Sequence, residues 1–358
     1  MAFDPQREDY QRLALRFAYS LDDTDTAHET SAFMAFGRRF AQDRDSLPQS
    51  DSDRAFHLVT LASKAIDYEL PFAPEDQAQK IIKDGHRILD EALSLDPHCY
   101  DALRMKAAAA NPSFDSFLTF LNESASEVRA YCTEQANNIS PDVSNERRRL
   151  LSDLAMRPYV RWVANQAEEA LICGRNRETL RLAEHALELD PSDMADIRFT
   201  AALAYAKLED EAGLDRFVKS RHGSGQTRPF DDAWTYIAYL ALAFKQHDMQ
   251  RAFGHIKDLV ARYPHAAEAL IRQNEFPDGV FARLAVMPYS EDEIILALSE
   301  STVLLQEGVD LEGRGVLSSW IIQETARAWP QAMLAVIAQQ TAVDQADQPG
   351  PHIQGGHQ

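Results

Sequence analysis

Three arginines are the residues whose types and spacing best predict a binding chemistry in this sequence. Arg157 and Arg161 lie four residues apart in the segment RPYVR, so they share one face of a helix. Arg198 follows in the next predicted helix hairpin. Guanidinium groups pair with carboxylates through parallel hydrogen bonds. We therefore predict a cationic pocket for a carboxylate or an acidic side chain. Tyr159, between the first two arginines, is a further candidate for partner binding that can instead pack between neighbouring hairpins.

A structural role for the same arginines stays open as the alternative. Each guanidinium can instead pair with a neighbouring acid, such as Glu168 or Asp196, and lock adjacent helix hairpins together. The two hypotheses differ in one observable, which is whether the arginines face a ligand or a carboxylate of the chain itself.

Aromatic side chains form a second candidate surface. Trp234, Tyr236, Tyr239 and Phe244 lie on one predicted helical stretch. Most aromatic residues in such a stretch belong to the core. For Tyr236 and Tyr239, a place in the core and a place in a partner-binding groove both remain open.

Motifs of catalysis are missing from the sequence. It has no HExxH, no GxSxG and no phosphate-binding glycine loop, and the segment HGSG (222–225) does not follow a strand, as a nucleotide site requires. Carboxylate runs such as Glu291-Asp292-Glu293 are interpreted as solvated faces or helix starts. His352 and His357 form a poor metal site in a polar tail. We expect a protein that is not an enzyme and that has no cofactor and no metal.

The composition predicts a helical chain with an acidic surface. Among 358 residues there are only 14 glycines and 16 prolines, and the formal net charge is −20. Such a charge repels phosphate backbones and anionic lipids, so we expect no nucleic-acid partner and no membrane partner. A protein or peptide partner with a basic face is compatible with it. The alternative is that the acidic surface serves only solubility.

The cysteines and the N-terminus predict a cytoplasmic location. Cys99, Cys132 and Cys173 are widely spaced and form no CxxC pair, which indicates buried thiols rather than disulfides or a zinc site. The segment MAFDPQREDY lacks the apolar core of a signal peptide, and no stretch reaches the length that spans a bilayer.

Two segments of the chain repeat each other. Residues 89–108 (LDEALSLDPHCYDALRMKAA) and 183–202 (AEHALELDPSDMADIRFTAA) share eight identities in twenty positions without a gap. In both, Ala-Leu-x-Leu ends an amphipathic helix and Asp-Pro stops it, because proline lacks the N–H group that the helix needs. A short polar residue such as Asp193 can then cap the next helix. The pattern predicts helix hairpins.

These hairpins resemble the tetratricopeptide (TPR) family. Its unit ends in a proline at the hairpin exit, and counting back from Pro191 and Pro264 gives units at 160–191 and 233–264, with a weaker one at 66–97. Gly174 and His247-Asp248 then fall at the turns. The resemblance implies an all-α, TPR-like α-solenoid of antiparallel helix hairpins, whose first helices line a concave groove.

Region 151–322 is similar to bacterial TPR proteins of the suppressor-of-tumorigenicity type. The similar elements are RPYVR (157–161), DPSD leading to Ile197-Arg198, the segment PYSEDEIILALS, and Trp320 near the end. The resemblance implies a fold and a binding role, and it supplies no assigned activity to carry over.

The chain divides into four predicted regions. An N-terminal helix pair and a polar loop occupy 1–50, divergent helical repeats 54–150, a TPR-like core 151–341 and a disordered tail 342–358. A linker is predicted at 221–232, in RHGSGQTRPFDD. Pro141 and Pro158 are each predicted to open a helix at its first turn.

Three functional hypotheses follow. The first is a non-enzymatic scaffold that binds a protein or peptide partner in a concave groove. The second is a regulatory TPR sensor that binds a short peptide or a small anionic ligand through Arg157, Arg161 or Arg198. The third, an enzyme, requires clustered titratable groups that the sequence does not indicate.

Overall fold

The structure is a computed structural model that describes residues 5–20, 26–221, 231–273, 286–308 and 314–346. Within these ranges the chain consists of helices and their connections, with no β-strand, so the prediction of an all-α fold is confirmed. The α-helices are α1 (Pro5–Ser20), α2 (Thr26–Asp43), α3 (Asp51–Ser63), α4 (Glu75–Leu95), α5 (Tyr100–Ala110), α6 (Phe114–Asn137), α7 (Asn145–Ile172), α8 (Asn176–Leu189), α9 (Ile197–Lys207), α10 (Glu211–Arg221), α11 (Ala233–Lys245), α12 (Met249–Arg262), α13 (Ala266–Arg272), α14 (Glu291–Glu300), α15 (Thr302–Leu305), α16 (Val316–Ala328) and α17 (Pro330–Ala346). A π-helix, Lys64–Glu69, extends α3.

Helix α1 packs against α3 and α7 through a face that is mostly charged. Glu8, Asp9 and Arg12 are buried there together with Leu13. Asp9 accepts hydrogen bonds from Arg44, and its Oδ2 lies 2.8 Å from His57 Nδ1. Arg12 donates to Asp53 on α3 at 3.2 Å. Ion pairs and charged hydrogen bonds therefore hold α1 against its neighbours, where other helices of the chain rely mainly on apolar contacts.

Two hairpins turn and end where the predicted units do, although the first of them starts at Asn145, well before the predicted start at 160. Helices α7 and α8 pack side by side and are joined at Gly174, whose φ of 73° suits a residue without a side chain. Helices α11 and α12 pack in the same way, and the Asp248 side chain accepts the Arg251 N–H at 3.0 Å as the cap of α12. Both hairpins end just before the predicted prolines, at Leu189 and Arg262.

Both predictions of a proline at a helix start are wrong. Pro141 lies in a turn, and α7 begins at Asn145 behind the Ser144 side chain, which accepts the Arg147 N–H at 3.4 Å. Pro158 lies inside α7, which runs through it for 28 residues. The buried stretch from Tyr159 to Ala167 explains why the helix continues, because burial of these side chains outweighs the cost of one proline.

Three predicted region boundaries can be compared with the helix bounds of the structure. The boundary between 150 and 151 falls inside α7, and one core cluster holds residues from both sides, including Leu121 and Trp162. Trp162 Nε1 donates to the Leu121 carbonyl at 2.9 Å. Helix α17 continues to Ala346, past the predicted start of the tail at 342, and the rest of that tail lies outside the described residues. Residues 222–230 of the predicted linker lie outside them too.

Candidate functional site

Arg157 and Arg161 come together on the side of α7 that faces α1. Arg157 donates from Nε to Glu8 Oε1 at 2.7 Å and from Nη2 to Gln11 Oε1 at 2.8 Å. Arg161 donates to Glu8 as well, and from Nε to Asp101 Oδ1 on α5 at 3.0 Å. The predicted pair of arginines is therefore bonded to two carboxylates of the same chain, which joins α1, α5 and α7.

This four-residue network is buried and electrically balanced. The side chains of Glu8, Asp101 and Arg161 are 7%, 5% and 4% exposed. Burial alone would raise the pKa of Glu8, but Arg161 and Arg157 outweigh it and hold that pKa at about 2. Burial would lower the pKa of Arg161, but Asp101 and Glu8 outweigh it and raise the pKa. Two positive and two negative charges compensate one another.

The acids that pair with the arginines differ from those considered in the sequence. Glu168 and Asp196 were the expected partners, whereas the structure uses Glu8 and Asp101. Asp196 instead accepts from Arg7 of α1 at 2.9 Å.

A cavity of about 510 Å³ lies beside this network. We call it the α1–α7 cavity. It is lined by Glu8, Gln11, Ala14, Leu15 and Ala18 of α1, by Ser152, Asp153, Met156, Arg157, Val160 and Arg161 of α7, and by Leu189, Asp190, Ser192, Met194 and Ala195 after α8. Most of its wall is apolar, and its charged lining residues are Glu8, Arg157 and Arg161 of the network together with Asp153 and Asp190. A volume of this size lies within the range of small-molecule and peptide side-chain pockets.

The repeat motif DPSDMAD builds the third wall of the α1–α7 cavity. The Asp190 carboxylate accepts the N–H groups of Ser192 at 3.1 Å and Met194 at 2.9 Å. Asp193 Oδ1 accepts the Ile197 N–H at 2.8 Å, so Asp193 caps the first turn of α9, although the residue directly before the helix is Asp196. Arg7 of α1 donates to the Met194 carbonyl at 2.9 Å. Side-chain hydrogen bonds thus fix this loop against α1.

Tyr159 lies on a different side of α7 from the arginines. Its hydroxyl oxygen is 3.2 Å from His185 Nε2 on α8, and its ring lines a second, more open cavity of about 690 Å³ between α6 and α7. We call this second space the α6–α7 cavity. The RPYVR segment therefore contributes to two cavities rather than to one site.

Arg198 does not line the α1–α7 cavity. Its side chain is 2% exposed, with Nε 3.9 Å from Asp193 Oδ2, and its guanidinium lies 4.8 Å from the Phe199 ring centroid. The structure brings two of the three predicted arginines together and places the third in the interior beside the loop that precedes α9.

Tyr236 and Tyr239 are half-buried on α11 and packed against the main core. Tyr239 donates its hydroxyl to Asp215 Oδ1 at 2.7 Å, and its ring stacks on His255. The guanidinium of Arg262 lies 5.4 Å from the Tyr236 ring centroid. Both rings have intrachain partners, and neither lines the α1–α7 or the α6–α7 cavity.

Sequence reasoning missed Glu8, Gln11 and Asp101. The contact between Glu8 and Arg157 joins residues 149 positions apart, and a single sequence gives no direct signal of such a pair. One indirect signal existed. Glu8 and Arg12 lie four residues apart and share one face of α1, and both are buried, so that face carries charges that need partners.

The class that fold and site define is an all-helical protein with an ion-paired N-terminal helix over an apolar cavity. No family model, curated protein or solved structure matches the chain. Within the described ranges, no His, Cys, Asp and Glu side chains cluster in a way that suits a metal ion. None of the helices in those ranges is long and apolar enough to cross a membrane.

Acid should weaken the ion-pair network that joins α1 to α7. The folded-state pKa of Glu8, about 2, lies below its ordinary value of 4.5. Its contribution to stability is therefore complete above pH 4.5 and is lost as pH falls toward 2, with a slope of at most about 1.4 kcal/mol per pH unit. We expect Glu8→Gln to flatten the fall in the free energy of unfolding across this window, measured by urea titration at several pH values.

The matched control is Glu188→Gln, which removes a carboxylate that is 77% exposed. It should leave the acid slope of the wild-type protein unchanged. An unchanged slope in Glu8→Gln would contradict the role of Glu8 in the network.

Proposed function

We propose that this protein is a non-enzymatic scaffold of the TPR type that binds a protein or peptide partner in a groove of its helix hairpins. The α1–α7 cavity is the main contact site. The observation that carries the proposal is this cavity of about 510 Å³, which has apolar walls and lies next to a buried ion-pair network. Apolar side chains of a partner gain free energy by leaving water for such a wall.

The TPR assignment has support from two hairpins. Helices α7–α8 and α11–α12 pair in the predicted units, turn at Gly174 and His247, and stop before a proline. Repeat units of this kind bury their faces on neighbouring units and leave an extended binding surface.

A sensor for a small anion is the second candidate, because Arg157 and Arg161 line the cavity. An anion at these guanidinium groups has to displace Glu8, which is already bonded to both. The scaffold hypothesis needs no such exchange. Saturable binding of succinate in a calorimeter, lost in Arg157→Ala, would favour the sensor.

The scaffold is tested by filling the cavity. Ala18 lines it from α1, and Ala18→Phe introduces a ring into the space that a partner side chain would take. The affinity-tagged full chain is used to capture partners from an extract of its native cells. We expect a partner captured by the wild-type chain to be reduced at least about tenfold with Ala18→Phe.

The matched control is Ala130→Phe, the same change in the α6–α7 cavity. It should capture the partner as the wild-type chain does, and circular dichroism should show that both variants fold. If Ala130→Phe alone loses the partner, the contact site is the α6–α7 cavity. If all three chains capture the same proteins, neither cavity is the contact site.

A further inference from the structure

The charged residues that line the α1–α7 cavity include more acids than bases. Arg157 and Arg161 are neutralised by Glu8 and Asp101. Among the other lining residues, Asp153 and Asp190 are negative and none is positive, although Arg149 lies near Asp153 without lining the cavity. The mostly apolar cavity therefore carries more acidic than basic side chains in its lining.

Asp153 is the carboxylate with the least internal compensation. Asp153 is exposed to solvent, and it accepts no hydrogen bond and forms no ion pair with any described residue. Asp190, by contrast, holds the loop through Ser192 and Met194. Partial burial and the nearby Asp190 raise the pKa of Asp153, against the smaller effects of Arg157 and Arg149. A cation beside Asp153 would relieve this repulsion.

Apolar side chains line the same cavity as Asp153 and Asp190. Leu15 and Ala18 of α1 face Met156 and Val160 of α7 across the cavity. A ligand that fills it therefore meets apolar groups along its length and carboxylates at one margin. Long basic side chains have this division, because their methylene stems pack on apolar surface while their charged ends stay with acids or water.

We propose that the α1–α7 cavity binds a peptide segment that places an apolar side chain between α1 and α7 and an adjacent lysine or arginine beside Asp153 and Asp190. The proposal rests on the proposed scaffold function and names the chemistry of its partner. The net charge of −20 adds long-range attraction for a basic segment. An acidic segment would meet two carboxylates, while both arginines that line the cavity are already bonded to Glu8.

The test uses an array of synthetic octapeptides probed with the full chain. Each peptide carries one Leu, Met or Phe, and its neighbour is Lys, Arg, Gln or Glu. We expect binding of the Lys and Arg peptides to exceed that of the matched Glu peptides by at least about tenfold. Asp153→Asn should weaken the basic peptides about tenfold and leave the Gln peptides unchanged, as measured by fluorescence anisotropy.

Asp142→Asn is the charge-matched control, because Asp142 is exposed and lies outside the α1–α7 cavity. It should bind the basic peptides as the wild-type chain does, while Ala18→Phe should not bind them. Equal binding of Lys and Glu peptides, equal loss in both Asn variants, or no peptide binding would each overturn the proposed ligand class. The scaffold function would survive these results if Ala18→Phe still loses the captured partner, and would fail with them if it does not.

Discussion

Arg161→Ala is expected to lower the free energy of unfolding by about 3–5 kcal/mol, the usual loss when one partner of a buried ion pair is removed. Arg161 is 3% exposed and is the only residue of the network bonded to both Glu8 and Asp101. Without Arg161, Asp101 loses its guanidinium partner, and Glu8 keeps only Arg157. Urea unfolding followed by circular dichroism and by tryptophan fluorescence provides the measurement.

Arg181→Ala is the matched control for this substitution. The Arg181 side chain is 67% exposed and lies 3.9 Å from Glu178 one turn away. Exposed pairs of this type contribute about 0–1 kcal/mol. A loss below about 1 kcal/mol in Arg161→Ala would show that Glu8 and Asp101 find other partners or reach water. The ion-pair network would then contribute little to the packing of α1 on α7.

Pro158→Ala is expected to have the opposite sign and to raise the free energy of unfolding by about 3 kcal/mol. Proline in a helix interior is less favourable than alanine by about this amount, because it removes one backbone hydrogen bond and crowds the preceding turn. Pro158 lies inside α7 rather than at its start. The same urea titration measures the gain.

Pro112→Ala serves as the control, since Pro112 lies in the connection before α6. It should be neutral or destabilising by up to about 1 kcal/mol, because a loop proline restricts the unfolded chain. If Pro158→Ala destabilises the protein instead, the local shape that Pro158 gives to α7 is needed for packing on both sides of that helix.

The local features of the fold could be predicted from the sequence. The repeated Asp-Pro motif and Gly174 set the ends of α8 and the turn before it, because a stop signal acts within a few residues. Asp193 as a helix cap belongs to the same class of feature. In each case the residue and its structural effect are neighbours in the chain.

The candidate site could be predicted only in part. Its two arginines stand out by spacing, but their charge partners come from α1 and α5, which no local pattern connects to α7. In place of the predicted cationic pocket, the structure has a charge-balanced network beside a cavity that Asp153 and Asp190 also line. The continuation of α7 through Pro158 also depends on tertiary burial, which overrides a local preference.

The charged inner face of α1 has a consequence for synthesis on the ribosome. Asp9 and Arg12 are followed by their partners Arg44 and Asp53 after only 35 and 41 residues. Glu8 leaves the ribosome 149 residues before Arg157, so at ordinary translation rates it waits on the order of 10 s for α7. An apolar face would be exposed to aggregation during that wait. Because Glu8 remains well hydrated in water during that wait, the side of α1 that faces α7 stays undocked without harm, and we expect the contact of α1 with α7 to form after its contact with α3.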